Sequence, residues 1–215
     1  NTGTDPHLLD AIENARTAAD VGFLRQEIPK AIDQSLDGIQ HISKIVYAMK
    51  TFSHPDIVEK ISTDLNRAIE TTVTVARNEW KYVADVTLEL EPTLPAVACF
   101  PGEINQVILN LIVNAAHAIA DKMERDAAGK GRITITTKTD DDAVEVRITD
   151  TGRGIPVEHH PRIFTPFFTT KPVGKGTGQG LAMAYNVIHN RHGGTIHFET
   201  AVGQGTTFII RLPRT

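Results

Sequence analysis

Asn110, Asn114 and His117 stand at i, i+4 and i+7 in an otherwise apolar run, Asn110-Leu-Ile-Val-Asn114-Ala-Ala-His117. On a helix the three side chains share one face. Polar groups on such a face are costly to bury unless something satisfies them. A carboxamide oxygen is a hard ligand suited to Mg²⁺, an ion that keeps several waters and takes few protein ligands beside phosphate oxygens. His117 could reach a phosphate. The bland alternative is a helix whose polar positions bond neighbouring backbone.

Three more clusters follow. Asp150-Thr-Gly152-Arg-Gly154-Ile155 closes a predicted strand. Its glycines let backbone approach a flat ligand closely. An ionised Asp150 is acceptor-only and could take a hydrogen bond from an exocyclic amine such as that of adenine. Asp-Thr-Gly also occurs in aspartic proteases, but those need two such carboxylates, and the chain has no second Asp-Thr-Gly or Asp-Ser-Gly. Phe164-Thr-Pro166-Phe167-Phe168-Thr-Thr170-Lys171 groups aromatics that could anchor a loop with a mobile cation suited to phosphate. A plug for the edge of a core would look the same. Gly174-Lys-Gly176-Thr177-Gly178-Gln-Gly180-Leu181 enters a predicted helix, so successive N–H groups and a helix N-terminus offer an anion site. It is not a Walker A loop, and no βαβ unit frames it as a dinucleotide fingerprint.

These clusters need elements to hold them. The expected order is a helix over 62–80, a strand over 83–90, a short strand near Val97, and a long helix from Pro101 to about Lys122. Alternating runs over 132–139 and 143–149 flank Asp140-Asp141-Asp142 as a hairpin, though not with a tight Asn-Gly turn. A helix over 179–192 and strands over 195–200 and 206–212 complete the list. Mixed helices and mainly antiparallel strands imply a two-layer α/β sandwich. Upstream, Ile28, Ile32, Ser35, Ile39, Ile42, Val46 and Met49 alternate four- and three-residue steps, an a/d seam that one helix cannot bury alone. With Pro29 near its start, a helix over about 29–51 is expected, with a second copy of the chain as its partner. The expected domains are a partial helical region (1–53), a linker (54–61) around Pro55, and a catalytic domain (62–215).

The chain has 215 residues, 40% hydrophobic and 22% charged, with a formal net charge of −4. That suits a soluble globular protein and argues against nucleic acid as a partner. The single Cys99 can form no internal disulfide, which fits a reducing cytoplasm. The most apolar stretch, 107–120, is broken by polar residues and is shorter than the ~20 residues of a spanning helix. We expect a piece of a longer protein whose remainder could include a membrane anchor.

The four clusters, in this order and spacing, resemble the N, G1, F and G2 boxes of the GHKL (Bergerat-fold) nucleotide-binding superfamily. Within it they are most similar to sensor histidine kinases, as is the ending Gly205-Thr206-Thr-Phe208 to Leu212-Pro213. The resemblance covers about 62–213, and the seam helix resembles the second helix of that family's dimerisation hairpin. It implies ATP and Mg²⁺ as cofactors, with Asn114 coordinating the metal and Asn110 supporting the phosphate end. Asp150 would bond the adenine amine with a water held by Thr206, and Gly152 and Gly154 would admit the base. The loop 169–180 would be the ATP lid, with Gly176, Thr177, Gly178 and Leu181 near the phosphates. Ile155, Phe167, Thr170, Lys171 and Gly180 would join the nucleotide-binding set, and Asn110, His117 and Lys171 the catalytic one.

Two positions depart from the family pattern. Many relatives have Lys or Arg where His117 stands, and Gln179 replaces an apolar lid residue. ATPases of the superfamily typically carry Glu at the position of Asn110 to activate water. Asn cannot take a proton at neutral pH, whereas an imidazole acceptor is already nucleophilic. Transfer of the γ-phosphate to a histidine is therefore expected over hydrolysis. The alternatives are a clamping ATPase and a nucleotide-sensing pseudokinase scaffold. The family's acceptor is a His followed by an acid and, four residues later, a Pro. None of the 9 histidines has that context, so the acceptor is expected outside this chain. His159-His160 and His189-x-x-His192 complete no metal-ligand pattern. The implied partners are a second copy, upstream sensor domains and a response regulator receiver domain.

Overall fold

The computed structural model of the chain describes residues 7, 10–11, 20–35, 59–126, 129–171 and 176–214. The chain divides into two compact units, Asn1–Phe52 and Ser53–Thr215. In the first, a helix covers residues 21–35 and runs through Pro29 rather than beginning near it. Leu24, Ile28 and Ile32, spaced four apart, are all exposed along it. The seam positions from Ile39 onward lie outside the described residues.

The second unit is built on a five-stranded sheet in the order β2-β4-β5-β7-β6. Its strands are β2 (Ala84–Glu89), β4 (Gly131–Asp140), β5 (Ala143–Asp150), β6 (Thr195–Ala201) and β7 (Gly205–Pro213). β2 runs parallel to β4, and the other pairings are antiparallel. The mixed sheet and the α/β layering agree with the sequence expectation. The short strand expected near Val97 is β3 (Val97–Cys99), and it pairs with β1 (Ile61–Thr63), which the sequence does not announce. Two or three residues of extended chain have no periodicity of their own, and this pair exists because distant segments meet.

The long helix α3 (Pro101–Asp126) lies across the sheet. Ile104, Val107, Ile108, Leu111, Ile112, Ala115, Ala116 and Ile119 are buried along it at alternating three- and one-residue steps. That is the stripe an amphipathic helix must bury. Each large side chain removed from water contributes about 1.5–3 kcal/mol. From β5 and β7 the inward positions Val144, Val146 and Ile148, and Phe208, Ile210 and Leu212, supply the opposing layer.

The expected helix over 62–80 is instead α1 (Leu65–Val75) and α2 (Arg77–Trp80). Asp64 caps the start, its side chain accepting the Arg67 N–H, so the helix cannot begin earlier. Its last turns contain Thr71, Thr72 and Thr74, whose hydroxyls donate back to the carbonyls of Arg67, Ala68 and Glu70. Such back-bonding and β-branching weaken a helix, and it stops at Ala76. The expected helix over 179–192 likewise divides into α4 (Gly180–Tyr185) and a π-helical turn (Asn186–Arg191). The β4–β5 hairpin forms as expected, closed by Asp141-Asp142 rather than Asn-Gly. Asp140 pairs with Ala143 across a two-residue turn, with Asp141 at φ 40°, a conformation Asp tolerates better than most residues.

Candidate functional site

Along β5 and β7 the residues facing α3 alternate, and the alternation ends in polar side chains. Asp150 and Thr206 are directly opposite each other in the register. Both are buried, at 5% and 4% exposure, where Ile148 and Phe208 set an apolar precedent. A carboxylate at an inward position of a strand breaks the local rule, as functional residues do. The Gly152 N–H donates to Asp150 Oδ1 at 2.7 Å, and the Thr206 N–H also donates to the carboxyl. Burial nevertheless wins and pushes the Asp150 carboxyl from 3.8 up to about 6, while those N–H bonds and the charge of Lys122 oppose the rise.

The turn after Asp150 lies on α3. A Cβ on Gly152 would sit 2.7 Å from both the Ala118 carbonyl carbon and the Ala118 Cβ. The Arg153 N–H donates to the Ala118 carbonyl at 3.2 Å. Gly154, at φ 72°, has its Cβ position occupied by the Ala201 carbonyl, so no other residue fits there without displacing backbone. Ile155 N–H donates to Thr200 Oγ1 at 3.0 Å, and Thr200 Oγ1 lies 3.0 Å from Thr206 Oγ1. A hydroxyl pair thus links the glycine turn to the strand opposite Asp150.

The polar face of α3 meets the lid segment. Asn110 Oδ1 accepts from Gln106 Nε2 at 3.1 Å, and Asn110 Nδ2 reaches the Gly180 carbonyl at 3.5 Å. Lys171 Nζ lies 2.6 Å from His117 Nδ1. In that arrangement the ammonium donates and a neutral imidazole accepts. Asn114 is half-buried on the same face, between these two contacts. Gly176 packs on Thr169 and Lys171, and Gly178, at φ 64°, is pressed against the backbone of Phe167. The Gln179 N–H donates to Thr177 Oγ1 at 3.4 Å. Leu181 is partly buried against the core.

The residues expected at the site therefore converge on one end of the sheet, with one exception. Phe167 is 73% exposed at φ 66°, while Phe164 and Phe168 pack against the core. The anchoring aromatics of this loop are its neighbours, and Phe167 contributes backbone, its N–H donating to the Gly178 carbonyl at 2.9 Å.

The sequence reading missed four residues. Asp121 extends the polar face by one more turn and pairs with Arg153, Nε to Oδ2 at 3.3 Å. Arg153 Nη2 also donates to Thr170 Oγ1 at 3.0 Å, joining the glycine turn to the loop before the lid. Lys122 and Thr200 complete the set. Asp121 was findable, since it follows His117 by four residues on the face already identified. The others depend on contacts between distant segments.

His192 is buried, its Nε2 accepting the Phe100 N–H at 3.1 Å and its Nδ1 facing the Val187 carbonyl at 2.8 Å. Burial holds its pKa below the usual value. It secures the start of α3. Among the described residues no group of three or more His, Cys, Asp or Glu side chains could hold a metal. A cavity of about 270 Å³ lined by Asp142, Gly193, Gly194 and Arg211 opens at the opposite end of the sheet and shares no residue with this site.

A long helix, a glycine turn and a glycine-rich segment thus meet beside a buried carboxylate at one end of a two-layer sandwich. The chain belongs to the histidine kinase-, DNA gyrase B-, and HSP90-like ATPase family, whose model matches residues 101–215. The sensor histidine kinase ZraS of Escherichia coli K12 is 30% identical over 202 residues, covering 94% of this chain and 40% of that protein. ZraS of Klebsiella oxytoca is 33% identical over 174 residues, covering 80% and 35%. The chain thus spans well under half the length of these relatives. Among solved structures, the catalytic domain of histidine kinase ThkA in a nucleotide-free form aligns with a TM-score of 0.63 at 31% identity. The match covers 74% of this chain and 97% of that one. ThkA in complex with response regulator TrrA aligns with a TM-score of 0.68 at 25% identity, covering 98% and 60%.

Proposed function

We propose that this chain is the ATP-binding catalytic part of a sensor protein-histidine kinase, donating phosphate to a histidine outside it. The observation that carries the choice of kinase over hydrolase is the pairing of Asn110 with Gln106 beneath Gly180. Asn110 stands where the superfamily's hydrolases carry their Glu, its oxygen engaged by Gln106, and a carboxamide cannot accept a proton near pH 7. An attacking water would gain no activation there. A neutral imidazole needs little, so positioning and charge stabilisation suffice.

The residues present fit the nucleotide. Asp150 retains acceptor capacity beyond the Gly152 and Thr206 N–H groups and would take the adenine amine. The glycine turn packs its backbone directly on Ala118 and Ala201, where Cβ atoms would clash, and so fixes the wall beside Asp150. Lys171 and His117, already within 2.6 Å, would face the phosphates with the backbone of Gly176 to Gly180. Asn114 offers one hard oxygen, and that suits Mg²⁺ arriving with phosphate oxygens better than a metal held by protein alone. ATP supplies the phosphoryl group, while the chain's own residues orient it and exclude water.

The domain reading of 1–53, 54–61 and 62–215 goes with this function. The exposed Ile28 and Ile32 support dimerisation through the helical region. The ThkA–TrrA complex supports a response regulator receiver domain as the recipient of the phosphate. No helix among the described residues is long and apolar enough to cross a membrane. We place the site in the cytoplasm, with any anchor and the sensor domains elsewhere in the parent protein.

Calorimetry should show ATP binding that depends on Mg²⁺. A hairpin helix bearing an acceptor histidine, supplied in trans, should then become phosphorylated. Absence of ATP binding would end this reading, and rapid ATP turnover without an acceptor would favour the hydrolase.

A further inference from the structure

Lys122 stands near the end of the polar face of α3, and its ammonium reaches two loops at once. It donates to the Thr151 carbonyl at 3.1 Å and to the Gly203 carbonyl at 2.8 Å. Thr151 directly follows Asp150, and Gly203 lies in the β6–β7 turn. The two loops also touch each other. Gly203 N–H donates to the Arg153 carbonyl at 2.7 Å. Gly154 abuts the Ala201 carbonyl, and Gly205 abuts the Asp150 carbonyl, each too closely for a Cβ. The walls around Asp150 are thus two backbone segments in contact, with one lysine side chain fastening both to the helix.

The charges around Lys122 are few. Asp121, its neighbour on α3, is paired with Arg153 of the glycine turn. From β4, the Arg132 carbonyl accepts the Thr151 N–H and the Arg132 N–H donates to Thr151 Oγ1. The turn Ala201-Val-Gly-Gln-Gly205 carries no ionisable group. Among the described residues, Lys122 is the charged side chain that acts on Asp150, favouring its ionised form.

We propose that Lys122 is a positioning residue for adenine recognition, fastening the Asp150–Gly154 turn to the β6–β7 turn beside the Asp150 carboxylate. The inference deepens the ATP-binding reading and rests on it. A lysine that merely tidied the helix end would satisfy two carbonyls and leave Asp150 unaffected. A positioning lysine ties base affinity to the state of that carboxylate.

The test compares Lys122→Met and Lys122→Arg in the full 215-residue chain. The first readout is the carbon-13 NMR titration of the Asp150 carboxyl without nucleotide. The second is ATP affinity by calorimetry at pH 6.5. In the parent chain burial pushes the carboxyl up to about 6. Lys122→Met should raise that midpoint by roughly half a pH unit, the worth of one partly exposed charge several ångströms away. It should also weaken ATP on the order of tenfold, through the lost hydrogen bonds and the lost carboxylate charge. Lys122→Arg should restore both.

A Lys122→Met protein with an unmoved midpoint and ATP affinity within about twofold of the parent overturns the proposal. So does lowered affinity that comes with a lowered melting temperature, an unmoved midpoint and no rescue by Arg. If the parent chain itself fails to bind ATP, the functional reading fails instead, and the nucleotide-free titration still decides whether Lys122 acts on Asp150.

Discussion

Asp150→Asn should make this protein more stable and unable to hold its ligand. The carboxyl is buried and held near 6 rather than 3.8. At ~1.4 kcal/mol per pH unit, that gap costs the folded state about 3 kcal/mol once Asp150 is ionised. The folded chain binds the proton more tightly than the unfolded one. The stability is therefore fully present below pH 3.8, falls as pH rises through about 6, and is level beyond. An amide never ionises and escapes that cost. The gap is already net of the carboxylate's N–H bonds; the amide's NH₂, set among N–H donors, returns about 1–2 kcal/mol of it. The net gain at pH 8 is about 1–2 kcal/mol, or roughly 3–6 °C in melting temperature for a unit of this size.

Binding should move the other way. Gly152 N–H claims the side-chain oxygen at 2.7 Å, so the amide NH₂ turns toward the ligand. There it meets the amine of the base, donor against donor. A lost charge-assisted bond together with that clash weakens ATP about 100-fold or more. Thermal melts at pH 5 and pH 8, paired with calorimetric titration of Mg-ATP, read both effects. The stability advantage should shrink by pH 5, where Asp150 is mostly protonated. A variant that melts below the parent at pH 8 and binds ATP normally would refute both the strain at Asp150 and its role in reading the base.

Three further outcomes follow from the same geometry. In the parent chain, affinity for adenosine, measured by NMR titration to keep phosphate ionisation out of the result, should fall about tenfold per pH unit below about 6; a flat profile would separate Asp150 from the base. Asn114→Ala should abolish the Mg²⁺-dependent part of ATP affinity and leave binding in chelator within about twofold; equal losses with and without the metal would place Asn114 elsewhere in the site. Gly154→Ala forces a side chain into a left-handed conformation against the Ala201 carbonyl, so it should cost about 2–4 kcal/mol or displace the turn, seen in denaturant titration and in lost nucleotide affinity.

The site could be read from the sequence wherever it is written in a local period. Asn110, Asn114 and His117 show themselves because a helix repeats every 3.6 residues, and α3 does bury the complementary stripe from Ile104 to Ile119. Asp150 closes a strand whose inward residues are otherwise aliphatic, so its oddity is visible before its partners are known. The same logic fails where a structure is set by segments far apart in the chain. β1 exists through its pairing with β3. α1 stops where threonine hydroxyls compete for its carbonyls, a matter of side-chain chemistry that hydrophobic spacing does not register. The run Phe164, Phe167 and Phe168 has no spacing that says which ring faces solvent, and Phe167 is the exposed one. Lys122 is the sharpest case. On α3 it reads as one more charge near a helix end, and its meaning appears only when Thr151 and Gly203, 29 and 81 residues downstream, bring their carbonyls to it. The polar positions on α3 and at the end of β5 are thus legible locally, whereas the contacts that join the segments around them belong to the tertiary fold.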